Sequence, residues 1–204
     1  MSKKILISGA GGQLGKALVN RLRDKYVIYS MPRSLENVSG SYMSHYLDVT
    51  DKEAVILALR KIQPDMIINC AAYTNVDGNE SERDKAHNVN VKGLQNLIQA
   101  SSLKCYFIQI STDYVFQGND GPYSEEDHTY PVNYYGKTKL EAENILIGSR
   151  RKYLIFRPNV LYSEDLHCKG NFFSWVYTSL LNNKTIYVVD DQISNPTFIP
   201  YFTE

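Results

Sequence analysis

The chain opens on a short apolar run, Lys4-Ile5-Leu6-Ile7-Ser8, and runs of this kind recur along it. Tyr26-Val27-Ile28-Tyr29-Ser30, Tyr46-Leu47-Asp48-Val49 and Met66-Ile67-Ile68-Asn69-Cys70 have the length of buried strands. So do Cys105-Tyr106-Phe107-Ile108-Gln109-Ile110 and Tyr153-Leu154-Ile155-Phe156-Arg157. Between these runs the apolar residues fall at helical spacing. Leu14, Ala17, Leu18 and Leu22 follow the first run, and Val55, Ala58, Leu59 and Ile62 make an amphipathic stripe. Thr50, with Glu53 three residues on, reads as a capping box that opens this second helix, and Pro64 ends it. Ala86, Val89, Leu94, Leu97 and Ile98 mark the inward face of a long helix over 82–102. A further helix begins at Tyr135 and reaches Ile147, and another covers 171–182.

Strands separated by helices predict βαβ units. The fold class is α/β: a Rossmann-type, doubly wound parallel sheet with helices on both faces. Right-handed crossovers put a ligand site at the carboxyl ends of the strands. The Gly9 turn, Asp48, the segment after Asn69 and Thr112 all fall at such ends.

The first strand runs directly into Gly9-Ala10-Gly11-Gly12-Gln13-Leu14-Gly15 and then a helix. That order is the context a dinucleotide fingerprint requires, although the spacing is Gly9-x-x-Gly12-x-x-Gly15 and not the usual G-x-G-x-x-G. Glycines let the backbone approach a pyrophosphate, and the helix N-terminus supplies N–H donors and a positive dipole end. The plain alternative is a tight turn with no ligand. After the second strand comes Met31-Pro32-Arg33-Ser34, with no acid before Glu36 to hold a ribose 2′-hydroxyl. Arg33 is placed to pair with a 2′-phosphate, so NADPH is the expected carrier and NADH the alternative.

The second chemical signal is Thr112 with Tyr135 and Lys139. On a helix, Tyr135 and Lys139 lie about one turn apart on one face. Of the 16 tyrosines, only Tyr135 has a lysine four residues on. A free tyrosine has a pKa of about 10. A neighbouring ammonium is expected to lower it, so that the phenol can exchange a proton with a substrate oxygen. Thr112, at a strand end, can hold that same oxygen. This equipment suits carbonyl reduction beside a bound hydride carrier.

Composition narrows the picture. At 204 residues and 43% hydrophobic, the chain can build a sizeable core. Its formal net charge is zero and no basic cluster stands out, which argues against a nucleic-acid surface. It has no long apolar span and no signal peptide ahead of the first strand, so a cytoplasmic protein away from membranes is expected. Cys70, Cys105 and Cys168 are widely spaced and read as reduced thiols, not as metal ligands or disulfides.

These segments together resemble the extended short-chain dehydrogenase/reductases, and within them the dTDP-4-dehydrorhamnose reductase branch. The resemblance rests on the Gly9 to Gly15 turn and on Asn69-Cys70-Ala71-Ala72-Tyr73-Thr74-Asn75-Val76-Asp77 with Glu80 after it. It rests also on Asn90, Ser111-Thr112-Asp113-Tyr114-Val115-Phe116, the Tyr135/Lys139 pair, and Asp191-Gln192-Ile193-Ser194-Asn195-Pro196-Thr197. It implies an NADPH-dependent 4-keto reductase of a deoxysugar nucleotide, feeding surface polysaccharide. By that resemblance Gly9, Gly12, Gln13, Leu14 and Gly15 hold the pyrophosphate, and Asp48 and Val49 contact the adenine. Ala71, Ala72 and Tyr73 line the cofactor channel, with Asn90 nearby. Thr112 holds the carbonyl, Tyr135 donates the proton, Lys139 grips the nicotinamide ribose, and Asp113 and Tyr114 touch the sugar. Related dehydratases carry Thr-Asp-Glu where this chain has Thr112-Asp113-Tyr114, so reduction is expected and not water elimination.

Two segments depart from the family. Arg157-Pro158-Asn159-Val160-Leu161-Tyr162 replaces Arg-Thr-Ser-Trp-Val-Tyr, and Ile193 and Asn195 replace small residues, which leaves the sugar and the base open. His167, Cys168 and Lys169 read as loop residues. The family continues past its Pro-Thr motif, so the expectation is a cofactor domain over 1–158 and a partial substrate region over 159–204, with the chain a truncated form. Phe198, Ile199 and Phe202 would then be exposed, and a second copy of the chain would cover them. Two other functions stay open: a sugar-nucleotide epimerase of the same fold, and a non-catalytic NADP-binding subunit resembling that of methionine adenosyltransferase.

Overall fold

The computed structural model describes residues 2–34, 43–164 and 172–204. Its centre is β1 (Lys4–Ser8), whose Ile5 pairs with Ile28 on one side and Met66 on the other. Outward on one side lie β2 (Val27–Met31) and β3 (Met43–Ser44). On the other lie β4 (Met66–Asn69), β5 (Tyr106–Ile110) and β6 (Tyr153–Phe156). The order is β3-β2-β1-β4-β5-β6 and every pairing is parallel. The chain builds outward from β1 to β3 and then returns to start β4 on the opposite side of β1. A crevice opens at that reversal, at the carboxyl ends of β1 and β4.

The strands are almost continuously apolar because both faces are covered. Leu6, Ile67 and Phe107 point to one face, where α2 (Lys52–Ile62), α5 (Gly93–Ala100) and α6 (Tyr134–Gly148) pack through Val55, Leu59, Leu94, Leu97 and Leu146. Ile5, Ile7, Ile28 and Ile68 point to the other, against Val19 of α1 (Gln13–Leu22). This is the doubly wound arrangement expected from the sequence pattern.

Several local expectations are corrected. Tyr46–Val49 is not a strand: the ladder stops at Ser44 after pairing Ser30 with Ser44. Asp48 Oδ1 instead accepts from Thr50 N (2.9 Å) and Thr50 Oγ1 (2.8 Å), a local turn that outcompetes the ladder. With Thr50 committed there, the N-cap of α2 is Asp51, whose Oδ1 accepts from Ala54 N at 3.0 Å. Asp51→Ala should therefore lower stability by about 1 kcal/mol, read as a fall in the urea midpoint. A larger loss for Thr50→Ala would return the cap to Thr50.

The helix expected over 82–102 begins earlier and is broken. It comprises α3 (Val76–Ser81), α4 (Arg83–His87), a wide π-turn over Asn88–Lys92, and then α5. The π-turn inserts an extra residue into the helix, and Asn90 within it is buried. Directly after it, Gly93 crosses Val49 so closely that a Cβ would lie 2.6 Å from Val49 Cγ2.

The later chain adds β7 (Leu161–Tyr162), α7 (Phe172–Leu181), β8 (Thr197–Phe198) and α8 (Ile199–Phe202), with β7 and β8 paired in parallel. Ile199 is 1% exposed, so it is not the exposed apolar residue that was expected. Phe198 and Phe202 are half-buried, and Phe202 sits edge-on to Phe156 at 5.3 Å. These three residues therefore do not form the open apolar patch that a second copy was expected to cover. Exposed apolar side chains lie instead on α7, among them Phe172, Trp175 and Leu180. No helix among the described residues is long and apolar enough to cross a membrane. His167, Cys168 and Lys169 lie outside the described residues.

Candidate active site

The crevice is a cleft of about 590 Å³. Its floor is the first βα turn. Gly9 has φ +65°, and a Cβ there would lie 2.6 Å from Ala71 N, so conformation and space both require glycine. A Cβ on Gly15 would lie 2.5 Å from Gly9 O, so the turn folds directly back on α1. Gly12 caps α1 without a side-chain bond, and no acid occupies the helix's first turn. The positive end of α1 is left for an anion from the cleft. These features fit a dinucleotide pyrophosphate.

Most of the expected site residues line this one cleft. Gly9, Gly12, Gln13, Leu14 and Gly15 line its floor, and Arg33, Asp48, Val49, Ala71 and Ala72 also face it. So do Thr112, Asp113, Tyr114, Tyr135 and Lys139. The sequence reading missed Ser34, Leu47, Cys70, Thr74, Val76 and Val89, which line the cleft as well.

Tyr73 and Asn90 stand behind the wall. The Tyr73 hydroxyl bonds Glu82, and its ring lies under Lys85 Nζ, 4.4 Å from the centroid. Asn90 Oδ1 accepts from Tyr73 N at 2.7 Å, and its Nδ2 donates to Thr138 Oγ1 at 2.9 Å. Thr138 Oγ1 in turn donates to Tyr135 O at 2.8 Å. Asn90 thus ties the Ala71–Tyr73 segment to the first turn of α6. No spacing rule points to this link, because it depends on the π-turn.

At the end of β5, Thr112 begins a short 3-10 turn over Asp113–Val115 and accepts from Tyr114 N at 3.2 Å. Its hydroxyl donates to Asp113 Oδ1 at 3.1 Å, and Thr112 lines the cleft together with Tyr135. Two residues secure the N-terminus of α6. Asn133 Oδ1 accepts from Gly136 N at 2.7 Å, and Glu80 Oε1 accepts from Tyr134 N at 2.7 Å. The bond from Tyr134 N, with a further one from Arg83, holds the Glu80 carboxyl below its ordinary range. Gly136 lets α6 touch the Thr112 segment: a Cβ there would lie 2.2 Å from Tyr114 O. The Tyr114 ring meets Tyr135 edge-on at 5.9 Å.

Burial dominates the electrostatics. It pushes the Tyr135 hydroxyl up to about 12, the Thr112 hydroxyl opposing and the nearby Asp113 adding. It pulls the Lys139 ammonium down to about 8. The expectation that Lys139 lowers the phenol is therefore corrected. Lys139 Nζ is turned to Ile110 O, 2.6 Å away, and desolvation of Tyr135 prevails. A phenol held protonated at neutral pH is a proton donor, the state that carbonyl reduction needs. Burial also raises Asp113, and it raises the Cys70 thiol to about 12.

Behind Lys139 the sequence reading missed a buried ion pair. Glu143, one helical turn after Lys139, bonds Ser111 Oγ and takes two bonds from Arg157. Its i, i+4 spacing from Lys139 was the signal available in the sequence.

The model of the RmlD substrate binding domain family matches residues 3–202. A dTDP-4-dehydrorhamnose reductase of Aggregatibacter actinomycetemcomitans is 38% identical over 200 residues, covering 96% of this chain and 63% of that protein. Methionine adenosyltransferase 2 subunit beta of Rattus norvegicus is 34% identical over 164 residues, 80% of this chain and 48% of the relative. A crystal structure of the Bacillus anthracis dTDP-4-dehydrorhamnose reductase in complex with NADP superposes with TM-score 0.87 at 36% identity, covering 100% of this chain and 68% of that one. The chain spans less than two thirds of the length of the curated relatives it matches. With the family model matching nearly end to end, the chain belongs to the RmlD substrate binding domain family.

Proposed function

We propose that this chain carries the site of an NADPH-dependent reductase acting on the 4-keto group of a 6-deoxy sugar nucleotide. The observation that carries the reading is the gathering of Thr112, Tyr135 and buried Lys139 in the same cleft as the glycine turn. Gly9 to Gly15 and the positive end of α1 would hold the pyrophosphate, Arg33 the 2′-phosphate, and Asp48 and Val49 the adenine. NADPH, when bound, supplies the hydride. Thr112 positions the carbonyl oxygen and Tyr135 delivers a proton to it as negative charge develops there. Lys139 binds the nicotinamide ribose, and Asp113 and Tyr114 meet the sugar. We place the reaction in the cytoplasm, in keeping with the free thiols of Cys70 and Cys105.

The test is NADPH consumption on adding dTDP-4-keto-6-deoxy sugar. Turnover is the expected outcome. Cofactor binding without turnover would favour the alternative of a non-catalytic NADP-binding subunit. Arg33→Ala adds a check on cofactor choice. It should weaken NADPH binding about tenfold and leave NADH binding unchanged, since a charge-assisted hydrogen bond contributes about 1.5 kcal/mol or more. Equal losses for both cofactors, read by nicotinamide fluorescence titration, would remove the 2′-phosphate role.

A further inference from the structure

We propose that Glu143 is a positioning residue that keeps Lys139 an ammonium inside the buried wall of the cleft. The proposal deepens the reductase reading, on which it rests, by assigning a role to charges behind the site. Lys139 is 2% exposed, Glu143 is 1% exposed, and both lie on the same face of α6. A lysine taken out of water sheds its proton unless an opposite charge is near. Glu143 is the main charge that acts to keep Lys139 protonated, because the Cys70 thiol is neutral where Lys139 titrates.

The carboxylate is fixed from two other strand ends. Ser111, just past β5, donates its hydroxyl to Glu143 Oε1. Arg157, just past β6, donates from Nε at 3.1 Å and from its terminal nitrogen at 2.7 Å. Its guanidinium stacks 5.1 Å from the centre of the Phe116 ring and reaches Glu125 O at 3.4 Å. Glu143 is therefore held by Ser111 and Arg157 while it stands one helical turn from Lys139 on the same face of α6. The other titratable groups around Lys139 are Tyr135 on its own helix, Cys70 beyond β4 and Asp113 beyond β5. The first two are held neutral by burial at working pH, and Asp113 is hydrogen-bonded to Thr112. With Glu143 neutralised, Lys139 would lose its favourable charge, and the Arg157 cation would be left without the carboxylate it pairs with.

The experiment follows Lys139 directly by NMR of the lysine-labelled chain, with Lys139→Met to assign its Cε signal. The wild-type midpoint is expected near 8. Glu143→Gln, which keeps the shape and loses the charge, should lower it by about one unit or more, and Glu143→Asp should restore it. Arg157→Met should raise it, because the carboxylate is then left to Lys139 alone. This second variant keeps the idea testable if Glu143→Gln does not fold. A midpoint unmoved by Glu143→Gln, or lowered by Arg157→Met, overturns the proposal. A merely structural carboxylate would shift stability and leave this titration in place. The measurement needs no turnover, so failure of the reductase reading is seen separately, as absence of NADPH consumption by the wild-type chain.

Discussion

Tyr135→Phe is expected to lower kcat for NADPH oxidation with a 4-keto-6-deoxy sugar nucleotide by about 10²–10⁴-fold, the usual contribution of a positioned general acid. Phenylalanine fills the same space. Its ring can keep the edge-on contact with Tyr114 at 5.9 Å, and nothing in the glycine turn depends on the hydroxyl. NADPH binding should therefore be largely unchanged. The loss should appear in kcat and in kcat/KM alike, the signature of an interaction made in the transition state. The physical ground is the buried phenol. With its pKa pushed up to about 12, it is protonated throughout the neutral range and can give its proton to a forming alkoxide. A Tyr135→Phe chain that kept its kcat would transfer the donor role to another group. Asp113 is the alternative to try next, because burial raises its carboxyl too and it shares a hydrogen bond with Thr112.

The frame of the molecule was readable because it is written in local terms. β1 and the glycine turn are contiguous, and α2 shows its stripe of Val55, Leu59 and Ile62, all of which are buried in the core. Tyr135 and Lys139 need only helical spacing to lie together. What was not readable depends on competition between neighbours. Thr50 and Asp51 are both good caps, and the choice between them is made by Asp48, which takes the Thr50 hydroxyl. The Tyr46–Val49 run has the composition of a strand, yet regular pairing ends at Ser44 and, after Leu47 N bonds Pro32 O, Asp48 turns the chain. The helix over 76–100 carries a π-turn that no apolar period announces, and that turn decides where Asn90 points.

The electrostatic expectation failed for a similar reason. A lysine one turn from a tyrosine is close in sequence terms, but its Nζ is aimed at Ile110 O. Burial then acts on both groups and drives them to their neutral forms, the phenol upward and the ammonium downward. Only the placement of Glu143 and Arg157, from two separate elements, shows what opposes that drift at Lys139. Helical spacing was a signal for Glu143 that went unused, and no spacing could give Arg157, which follows another strand.

Gly136→Ala should damage the site without touching any group in the chemistry. The added methyl would lie 2.2 Å from Tyr114 O, 3.0 Å from Tyr114 C and 3.0 Å from Pro131 Cβ. Two of these are backbone atoms of the turn that follows Thr112, so a side-chain rotation cannot relieve them. Either α6 moves away from the turn or the turn moves away from α6. Each route separates the Tyr135 hydroxyl from Thr112, and a displacement of about 1 Å can lower kcat by about 10²-fold. Overpacking of this kind also destabilises by about 1–3 kcal/mol, visible in the urea midpoint. Gly148, at the far end of the same helix, is the control, since a Cβ there meets nothing within 4 Å. Gly148→Ala should raise stability by about 0.5–1 kcal/mol and leave kcat alone. If Gly136→Ala behaved like Gly148→Ala in both assays, close contact between α6 and the Thr112 turn would not be what aligns the hydroxyls. Loss of kcat only in Gly136→Ala, with NADPH still bound, would show that the glycine after Tyr135 serves catalysis by letting two backbones touch.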